Sequence, residues 1–324
     1  MAFRYDQEKF IEEVSNKKIK VFISSSSFEK RCFVIAEHLV SSNINKSIFF
    51  YNYNEVPEII YNANELCKLY PGKSEKISLN SENPLGNFVT ISETISQLII
   101  QNQNQNFLID STTFTHETLL ILLKIFELDQ NFLGELYIVY VGASGYSINE
   151  INEADKWLSK GIKTIRTILG YSGFTDPTAK NHLMILFGFE SERTKKIIDE
   201  YEYEYVSLGF GDVDESIQDN HQKLNFERHK KLLEDYPNAK EFSFSLVNPY
   251  DTKNALLKHI SKYKYENYNT VIAPLNNKIS TIGACLAAIE NSDIQLAYAQ
   301  PLIYNIDGYS EPNNQIYFFQ LKLV

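Results

Sequence analysis

The chain has 324 residues, a formal net charge of −10 and an apolar content of 44%. This length fits one large or two ordinary domains, and the composition is typical of a soluble globular protein. The acidic balance excludes long nucleic acid as a partner, because such a polymer demands concentrated Lys and Arg on one surface. It leaves room for a short phosphate ligand in a local basic pocket.

The N-terminal stretch, the apolar runs and the cysteines indicate where in the cell the protein works. The stretch MAFRYDQEKFIEEV is charged and amphipathic, unlike a secretory signal. The longest apolar run, around Leu119–Phe126, falls far short of the roughly 18 residues of a membrane span. Cys32, Cys67 and Cys285 have no metal-ligand spacing, and their odd number argues against a disulfide framework. We therefore predict a cytoplasmic protein without membrane contact.

Past residue 20, short apolar runs alternate with helical stretches, which favours an α/β fold with a mostly parallel sheet. The predicted strands of the first half are KVFIS (20–24), SIFFYNY (47–53), KISLN (76–80), NFLIDS (106–111) and ELYIVYVG (135–142). Those of the second half are HLMILFG (182–188), YEYVSLGFG (203–211), EFSFSLV (241–247), NTVIAPL (269–275) and IQLAYAQP (294–301).

The residues that follow corresponding strands recur in the same order in both halves. The first strand of each half leads into Phe-Glu and an Arg, in SSSSFEKR and in FGFESER. After the third strand come Asn83-Pro84 and Asn248-Pro249, and after the fifth come Gly145-Tyr146-Ser147 and Gly308-Tyr309-Ser310. We interpret this order as an internal duplication, although any α/β chain offers some alternation of this kind.

The duplication predicts two tandem Rossmann-like lobes with mostly parallel sheets, related by pseudo-two-fold symmetry around a shared cleft. The first lobe covers 1–150 and the second 182–324, joined by a helix and a strand within 151–181. The helix is predicted at Ala154–Ile162 and the extra strand in KTIRTILGYSG, residues 163–173.

In an open parallel sheet, ligands bind at the carboxyl ends of the strands, where helix N-termini favour anions. Ser25, Ser26 and Ser27, in the run that opens at Ser24, are candidate anion-binding residues there. Alternatively, Ser26 and Glu29 form a capping box, which explains one serine and leaves the others open.

Arg31 and its counterpart Arg193 stand in the first turn of a helix, where a cation opposes the helix dipole and needs a partner. A bound phosphate would serve, and so would the nearby Glu29 or Glu190.

The loop after the fourth strand of each half is also polar. In the first half it holds Asp110, Thr112 and Thr113, with His116 a further candidate. A carboxylate at a strand end can hold ribose hydroxyls, a metal or a water. Alternatively, Asp110 bonds the loop amides, and Thr113, Thr115 and Ser280 are plain helix caps.

The second half carries Asn276, Asn277 and Lys278 at the same place, and Lys278 could offer a point charge to phosphate. Tyrosines of the Gly-Tyr-Ser sites, which include a third at Gly170-Tyr171-Ser172, could stack on a base. We select Tyr309 among them. No His pair has metal-ligand spacing and no motif indicates a covalent nucleophile, so we expect no metal and no cofactor.

The element FLIDSTTFTHETLLILL, with the four-serine loop, resembles the CRISPR-associated Rossmann-fold (CARF-like) sensor domains. In that family an apolar strand ends in an Asp or a similar residue, and a hydroxyl-rich, Lys-containing loop opens a helix. The Lys is missing from the first half and appears only as Lys278. The resemblance implies Rossmann-like units that hold a cyclic oligonucleotide or related nucleotide, with a role in antiviral defence. It also implies a separate effector protein as partner, since no residues remain for an effector domain.

Three functions stay open. The first is binding of a small nucleotide-type, phosphate-containing ligand in the inter-lobe cleft, as a sensor or regulatory subunit. The second is a hydrolase of nucleotide or glycosidic bonds that uses Asp110 or Glu29. The third is a protein-interaction scaffold without a small ligand, whose many Tyr and Phe residues form an interface. We expect a monomer and, because the first half has the more hydroxyl-rich loops, one site dominated by the first lobe.

Overall fold

The computed structural model describes residues 3–147, 150, 156–200, 203–215, 227 and 230–323. The chain divides into two compact units. The first unit comprises Met1–Gly145 and Ser310–Val324, and the second comprises Tyr146–Tyr309. These bounds differ from the predicted lobes, because the C-terminal strand packs in the first unit.

The first unit is built from a β/α alternation with an added strand at each end of the chain. Its elements are β1 (Phe3–Tyr5), α1 (Gln7–Asn16), β2 (Ile19–Ser25), α2 (Arg31–His38), β3 (Lys46–Asn52), α3 (Pro57–Leu69), β4 (Ser74–Leu79), α4 (Pro84–Gln101), β5 (Asn106–Asp110), α5 (His116–Leu128), β6 (Leu136–Tyr146) and β13 (Ser310–Leu321).

The second unit repeats the alternation. Its elements are β7 (Ser159–Thr167), β8 (Asn181–Leu186), α6 (Ser191–Glu200), β9 (Tyr205–Gly211), β10 (Lys240–Phe244), α7 (Pro249–Lys262), β11 (Asn269–Pro274), α8 (Lys278–Glu290) and β12 (Gln295–Tyr304).

The strand order is the same in both units over six strands. The first sheet runs β1-β13-β6-β5-β2-β3-β4, and the second, read in the same direction, runs β7-β12-β11-β8-β9-β10. The pairs β2/β3, β3/β4, β2/β5 and β5/β6 are parallel, and so are their counterparts. Both units are therefore Rossmann-like α/β sheets, as predicted, and all ten predicted strands are present. The two-fold relation stays a prediction.

One strand in each sheet comes from the other half of the chain. Strand β7 follows the five parallel strands β2–β6 in the chain but pairs antiparallel with β12 in the second sheet. Strand β13 follows β8–β12 in the chain but lies beside β6 in the first sheet. The extra strand was predicted, but its start lies four residues and its end six residues earlier than predicted. The helix at Ala154–Ile162 was not confirmed, because residues 156–158 are irregular and β7 begins at Ser159; residues 151–155 lie outside the described part.

The repeated Asn-Pro pairs both begin helices. Asn83 accepts a hydrogen bond from the N–H of Gly86 (3.0 Å), and Asn248 accepts one from the N–H of Tyr250 (3.1 Å). Each is an N-cap followed by proline at the first helical position, where the missing N–H costs nothing.

Among the described residues, no helix is long and apolar enough to cross a membrane.

Candidate functional site

The candidate site lies at the carboxyl edge of the first sheet, where β2 and β5 end side by side. The chain builds β3 and β4 on one side of β2 and then returns to place β5 and β6 on the other side. This reversal of strand order is the switch point at which open α/β sheets bind ligands.

Three of the four serines there already have partners within the unit. Ser26 Oγ donates to the carbonyl of Ile59 (2.7 Å), and Ser25 Oγ lies 3.3 Å from the carbonyl of Phe50. Ser27 Oγ accepts from the N–H of Glu29 (3.2 Å). All three are buried. The alternative capping box of Ser26 and Glu29 is therefore wrong, and an anion would have to replace existing bonds of these hydroxyls.

Arg31 is held by the protein itself. Its Nη2 donates to Glu29 Oε2 (2.6 Å), and its Nη1 donates to the carbonyl of Val141 (3.2 Å). Ser310 Oγ donates to the same Glu29 oxygen (2.6 Å). The ion pair is nearly inaccessible to solvent, with side-chain exposures of 5% and 8%. Glu29 is thus the partner that the position of Arg31 required.

Arg193 repeats this arrangement in the second unit. Its Nη1 lies 3.2 Å from Glu190 Oε2, and its Nη2 donates to the carbonyl of Ala299. Ser159 Oγ donates to Glu190 (2.5 Å), as Ser310 does to Glu29. Each unit therefore has an Arg–Glu–Ser lock. It ties α2 to β6 and β13 in the first unit, and α6 to β12 and β7 in the second.

Asp110 differs from these satisfied groups. Its side chain is fully buried, with 0% exposure. Oδ1 accepts from the N–H and the hydroxyl of Thr112 (3.0 and 2.5 Å), which confirms that it bonds the loop amide. Oδ2 makes no hydrogen bond within the described chain. Burial raises the pKa of Asp110 to about 6, against the opposing effects of the Thr112 bonds, the Arg31 charge and Ser24.

Ser24 opens the candidate serine run but was not among the three serines selected from the sequence. Its buried hydroxyl makes no hydrogen bond of good geometry among the described residues, but it lies close enough to Asp110 for a weak side-chain hydrogen bond that lowers the pKa of that carboxyl. Ile23 pairs with Ile109, so Ser24 and Asp110 follow in register on the two adjacent strands. Strand alternation could have found it, because Ser24 shares the face of the core residue Phe22.

The second unit has an apolar pair at the equivalent place. Leu186 and Pro274 are opposite each other at the ends of β8 and β11. Both are buried. The fold can therefore fill this position without a carboxyl or a hydroxyl.

The remaining candidates of the first unit shape the loop around Asp110. Thr113 Oγ1 donates to the carbonyl of Ser25 (2.6 Å), so Thr113 joins the two strand ends and is not a helix cap. Thr115 is the N-cap of α5, since it accepts from the N–H of Thr118 (3.1 Å). His116 is the first, half-buried residue of α5.

In the second unit, the polar loop caps a helix. Asn277 accepts from the N–H of Ser280 (2.8 Å) and donates to the carbonyl of Leu246 (2.8 Å), so Asn277, and not Ser280, is the N-cap of α8. Asn276 donates to the carbonyl of Phe187, and Lys278 opens the helix, half-buried.

Two of the three Gly-Tyr-Ser sites lie where the chain passes from one unit to the other. The chain passes between the units at Gly145/Tyr146 and again at Tyr309/Ser310. The carbonyl of Tyr309 accepts from the N–H of Ser147 (3.1 Å). The third site buries Tyr171, whose hydroxyl lies 3.1 Å from Cys285 Sγ. Of the predicted residues, the structure thus groups Ser25, Ser26, Ser27, Arg31, Asp110, Thr112 and Thr113 in the first unit, and it places Arg193, Asn276, Asn277, Lys278 and Tyr309 in the second.

No family model and no curated protein matches the chain. Among solved structures, it is similar to the cytoplasmic domain of a prokaryotic cation chloride cotransporter, with 6% identity over 89% of this chain and 98% of that chain, and a TM-score of 0.25. It is also similar to an N-terminal ketoreductase from a macrolactin assembly line, with 10% identity over 86% and 69% of the two chains, and a TM-score of 0.22. Neither likeness bears on what this chain binds.

Proposed function

We propose that the first unit binds a small nucleotide-type ligand at its carboxyl edge, as a sensor or regulatory subunit in the cytoplasm. Asp110 accepts a hydrogen bond from an amino or hydroxyl group of that ligand. The supporting observation is the buried, incompletely bonded carboxyl of Asp110 at a position that the second unit fills with Pro274.

The energetics favour a ligand over a purely structural role. A buried carboxyl whose oxygen lacks a partner destabilises the fold, because burial removes water without a replacement hydrogen bond. With a pKa near 6, Asp110 is mostly ionised at pH 7. A donor group on a ligand would supply the missing partner for Oδ2. Ser24 Oγ, beside it, can donate to or accept from the same group.

The location and the neighbouring charge favour a nucleotide-type ligand. The N-terminus of α2 follows β2 directly and carries the partial positive charge that suits phosphate. Lys30, exposed beside that N-terminus, makes no ion pair with the described residues and is available for a phosphate. The resemblance of this edge to CARF-like sensor domains agrees with the proposal, which no longer needs Arg31 or the three bonded serines as ligands.

Calorimetric titration with mono-, di- and cyclic nucleotides tests the proposal. We expect at least one ligand to bind wild type and to bind Asp110→Asn at least about tenfold more weakly, as for a lost bond to a charged group. Ser24→Ala should weaken binding, whereas Ser47→Ala should not. Ser47 is a matched control, since its hydroxyl is also buried without a partner but lies near the start of β3. Absence of binding across the panel would overturn the proposal.

A hydrolase is the second candidate, favoured by the raised pKa of Asp110. A carboxyl with a pKa of about 6 can act as a general base near neutral pH. Glu29 is less suited, because Arg31 and Ser310 occupy its Oε2. Turnover of a bound nucleotide by wild type, and its loss in Asp110→Asn with binding retained, would establish this reading over simple binding.

A further inference from the structure

A second carboxyl group, that of Glu55, lies near the same edge and has few partners. Glu55 lies in the loop between β3 and α3, and β3 is the neighbour of β2 on the side away from β5. The side chain is partly buried, and its carboxyl has Asn52 as its one partner within the described residues. The carboxamide oxygen of Asn52 is itself buried without a hydrogen bond.

The second unit shows what an acidic residue in this loop does when its role is structural. Glu215 follows β9, the counterpart of β3, and its Oε2 accepts from Ser245 Oγ (2.7 Å) and from the N–H of Leu246 (2.6 Å). The carboxylate thereby ties the loop after the second strand to the loop after the third.

In the first unit, an amide makes that tie instead. Asn54 Nδ2 donates to Ser81 Oγ (3.1 Å), and the N–H of Ser81 donates to Asn54 Oδ1 (3.0 Å). The two loops are therefore joined without Glu55. Apart from its bond with Asn52, the Glu55 carboxylate keeps lone pairs for further donors, and the Asn52 oxygen makes no hydrogen bond within the described residues.

These acceptors and Asp110 lie on opposite sides of β2. Adjacent strands are about 4.8 Å apart, so the ends of β3 and β5 are separated by roughly 10 Å. A single nucleoside can span that distance. Two acceptors side by side match two donors on adjacent carbon atoms, which a ribose presents in its 2′- and 3′-hydroxyls.

We propose that Glu55 and Asn52 accept hydrogen bonds from the sugar hydroxyls of the ligand that Asp110 holds, so that the site selects ribonucleotides over deoxyribonucleotides. This inference rests on the proposed function and names the substrate class of the same site. Burial raises the pKa of Glu55 to about 7, with the Asn52 bond opposing the shift. Because hydroxyl donors need the carboxylate form, binding tightens as the pH rises through about 7.

The test uses the full chain and the four common ribonucleoside 5′-monophosphates with their 2′-deoxy counterparts. Titrations compare wild type, Glu55→Gln and Glu58→Gln. Glu58 is the matched control, because it is an exposed acid in the first turn of α3. Wild type and Glu58→Gln should prefer the ribo form by about tenfold or more, the effect expected of a bond to a charged group. Glu55→Gln should lose most of that preference while still binding the deoxy form.

The outcomes separate the two proposals. Equal binding of both sugar forms to wild type, with binding still weakened by Asp110→Asn, would overturn the role of Glu55 and keep the proposed function. A ribo preference that persists in Glu55→Gln would do the same. Absence of binding by every monophosphate, ribo or deoxy, would overturn this inference; the di- and cyclic nucleotides then decide the proposed function.

Discussion

The two units share a strand order but have opposite kinds of buried titratable groups. The first unit buries an acid, Asp110, at the carboxyl edge of its sheet, where the second unit has Leu186 and Pro274. The second unit buries two bases instead, His182 on β8 and His259 on α7, which share the hydroxyl of Ser207 (2.8 and 2.9 Å). Because the units share a strand order but differ in these groups, the shared fold does not explain them, and each needs its own explanation.

The histidines form a satisfied network, whereas Asp110 does not. His182 also contacts Thr270 Oγ1 (3.2 Å), and its ring packs on Tyr265 at 4.1 Å. Burial lowers the pKa of His182 to about 3 and that of His259 to about 4, so both are neutral at pH 7. Because both ring nitrogens of His182 and Nε2 of His259 have hydroxyl partners, this network can be kept for stability alone. An acid with an unbonded oxygen cannot be explained in that way.

The largest expected effect comes from breaking the lock of the first unit. Arg31→Ala leaves Glu29 buried without its cation, which typically costs about 3–5 kcal/mol of unfolding free energy. Arg193→Ala should cost less, because the second lock is more exposed, at 16% and 12% for its two side chains. Denaturant unfolding of the two variants measures the difference. A loss from Arg31→Ala no larger than that from Arg193→Ala would contradict this ranking.

The histidine pair should make the second unit sensitive to acid. The unfolded histidines bind protons near pH 6.5 while the folded ones stay neutral, so their stabilisation is complete above pH 6.5 and lost as the pH falls. Between pH 6.5 and 4, His182 alone accounts for about 3 kcal/mol. Fluorescence of Trp157, which lies in the second unit, follows the loss.

The control for this acid sensitivity is His182→Gln. The variant should be less stable at pH 7, since Gln cannot reproduce both bonds of the ring, but its stability should change less between pH 6.5 and 4. An unchanged pH dependence in the variant would show that other groups cause the acid loss.

The buried carboxyl of Asp110 should change the pH dependence of the unfolding free energy in the opposite direction. Its folded pKa of about 6 lies above the ordinary 3.8, so ionisation destabilises the folded state above pH 6 and the penalty disappears as the pH falls towards 4. Asp110→Asn should therefore stabilise the free protein at pH 7.5, by about 3 kcal/mol at most. The gain should vanish near pH 4. A variant less stable than wild type at pH 7.5 would mean that the fold needs the carboxylate.

The smallest effect concerns the loop that positions Asp110. Thr115→Ala removes the N-cap of α5 and should cost about 1 kcal/mol. Asn277→Ala, at the matching N-cap of α8, should cost more. The second bond of Asn277 ties α8 to the loop after β10 at Leu246, whereas that of Thr115 goes to Thr118 in its own helix. Thermal melts of the two variants rank them, and the reverse order would refute the role given to that second bond.

The strands could be predicted from the sequence because each is a short apolar run closed by a polar loop. The origin of the outer strands could not. Strand β13 belongs to the first sheet although it follows β12 in the chain, and such pairing depends on contacts between distant residues rather than on local pattern.

The site was predictable in part. Asp110 was selected from the sequence because an acid at the end of an apolar strand stands out, and its role in a ligand site stays a prediction. Arg31 and the serines Ser25–Ser27 also stood out, but the sequence cannot show that Glu29 or a carbonyl already satisfies them. Ser24 was noted in the serine run but not selected, and Glu55 was not considered. What distinguishes them is a set of bonds that the fold leaves incomplete, which the sequence does not show.

The central claim is that Asp110 is kept for a ligand at the expense of stability. Thermal melts of wild type, Asp110→Asn and Ser47→Ala at pH 7.5, with and without the tightest nucleotide at 100 times its dissociation constant, test it most directly. Wild type and Ser47→Ala should gain about 2.7 kcal/mol from the ligand. Asp110→Asn should start with the higher melting temperature and gain much less. A variant that melts lower than wild type without ligand, yet shows the same ligand-induced gain, would contradict the account.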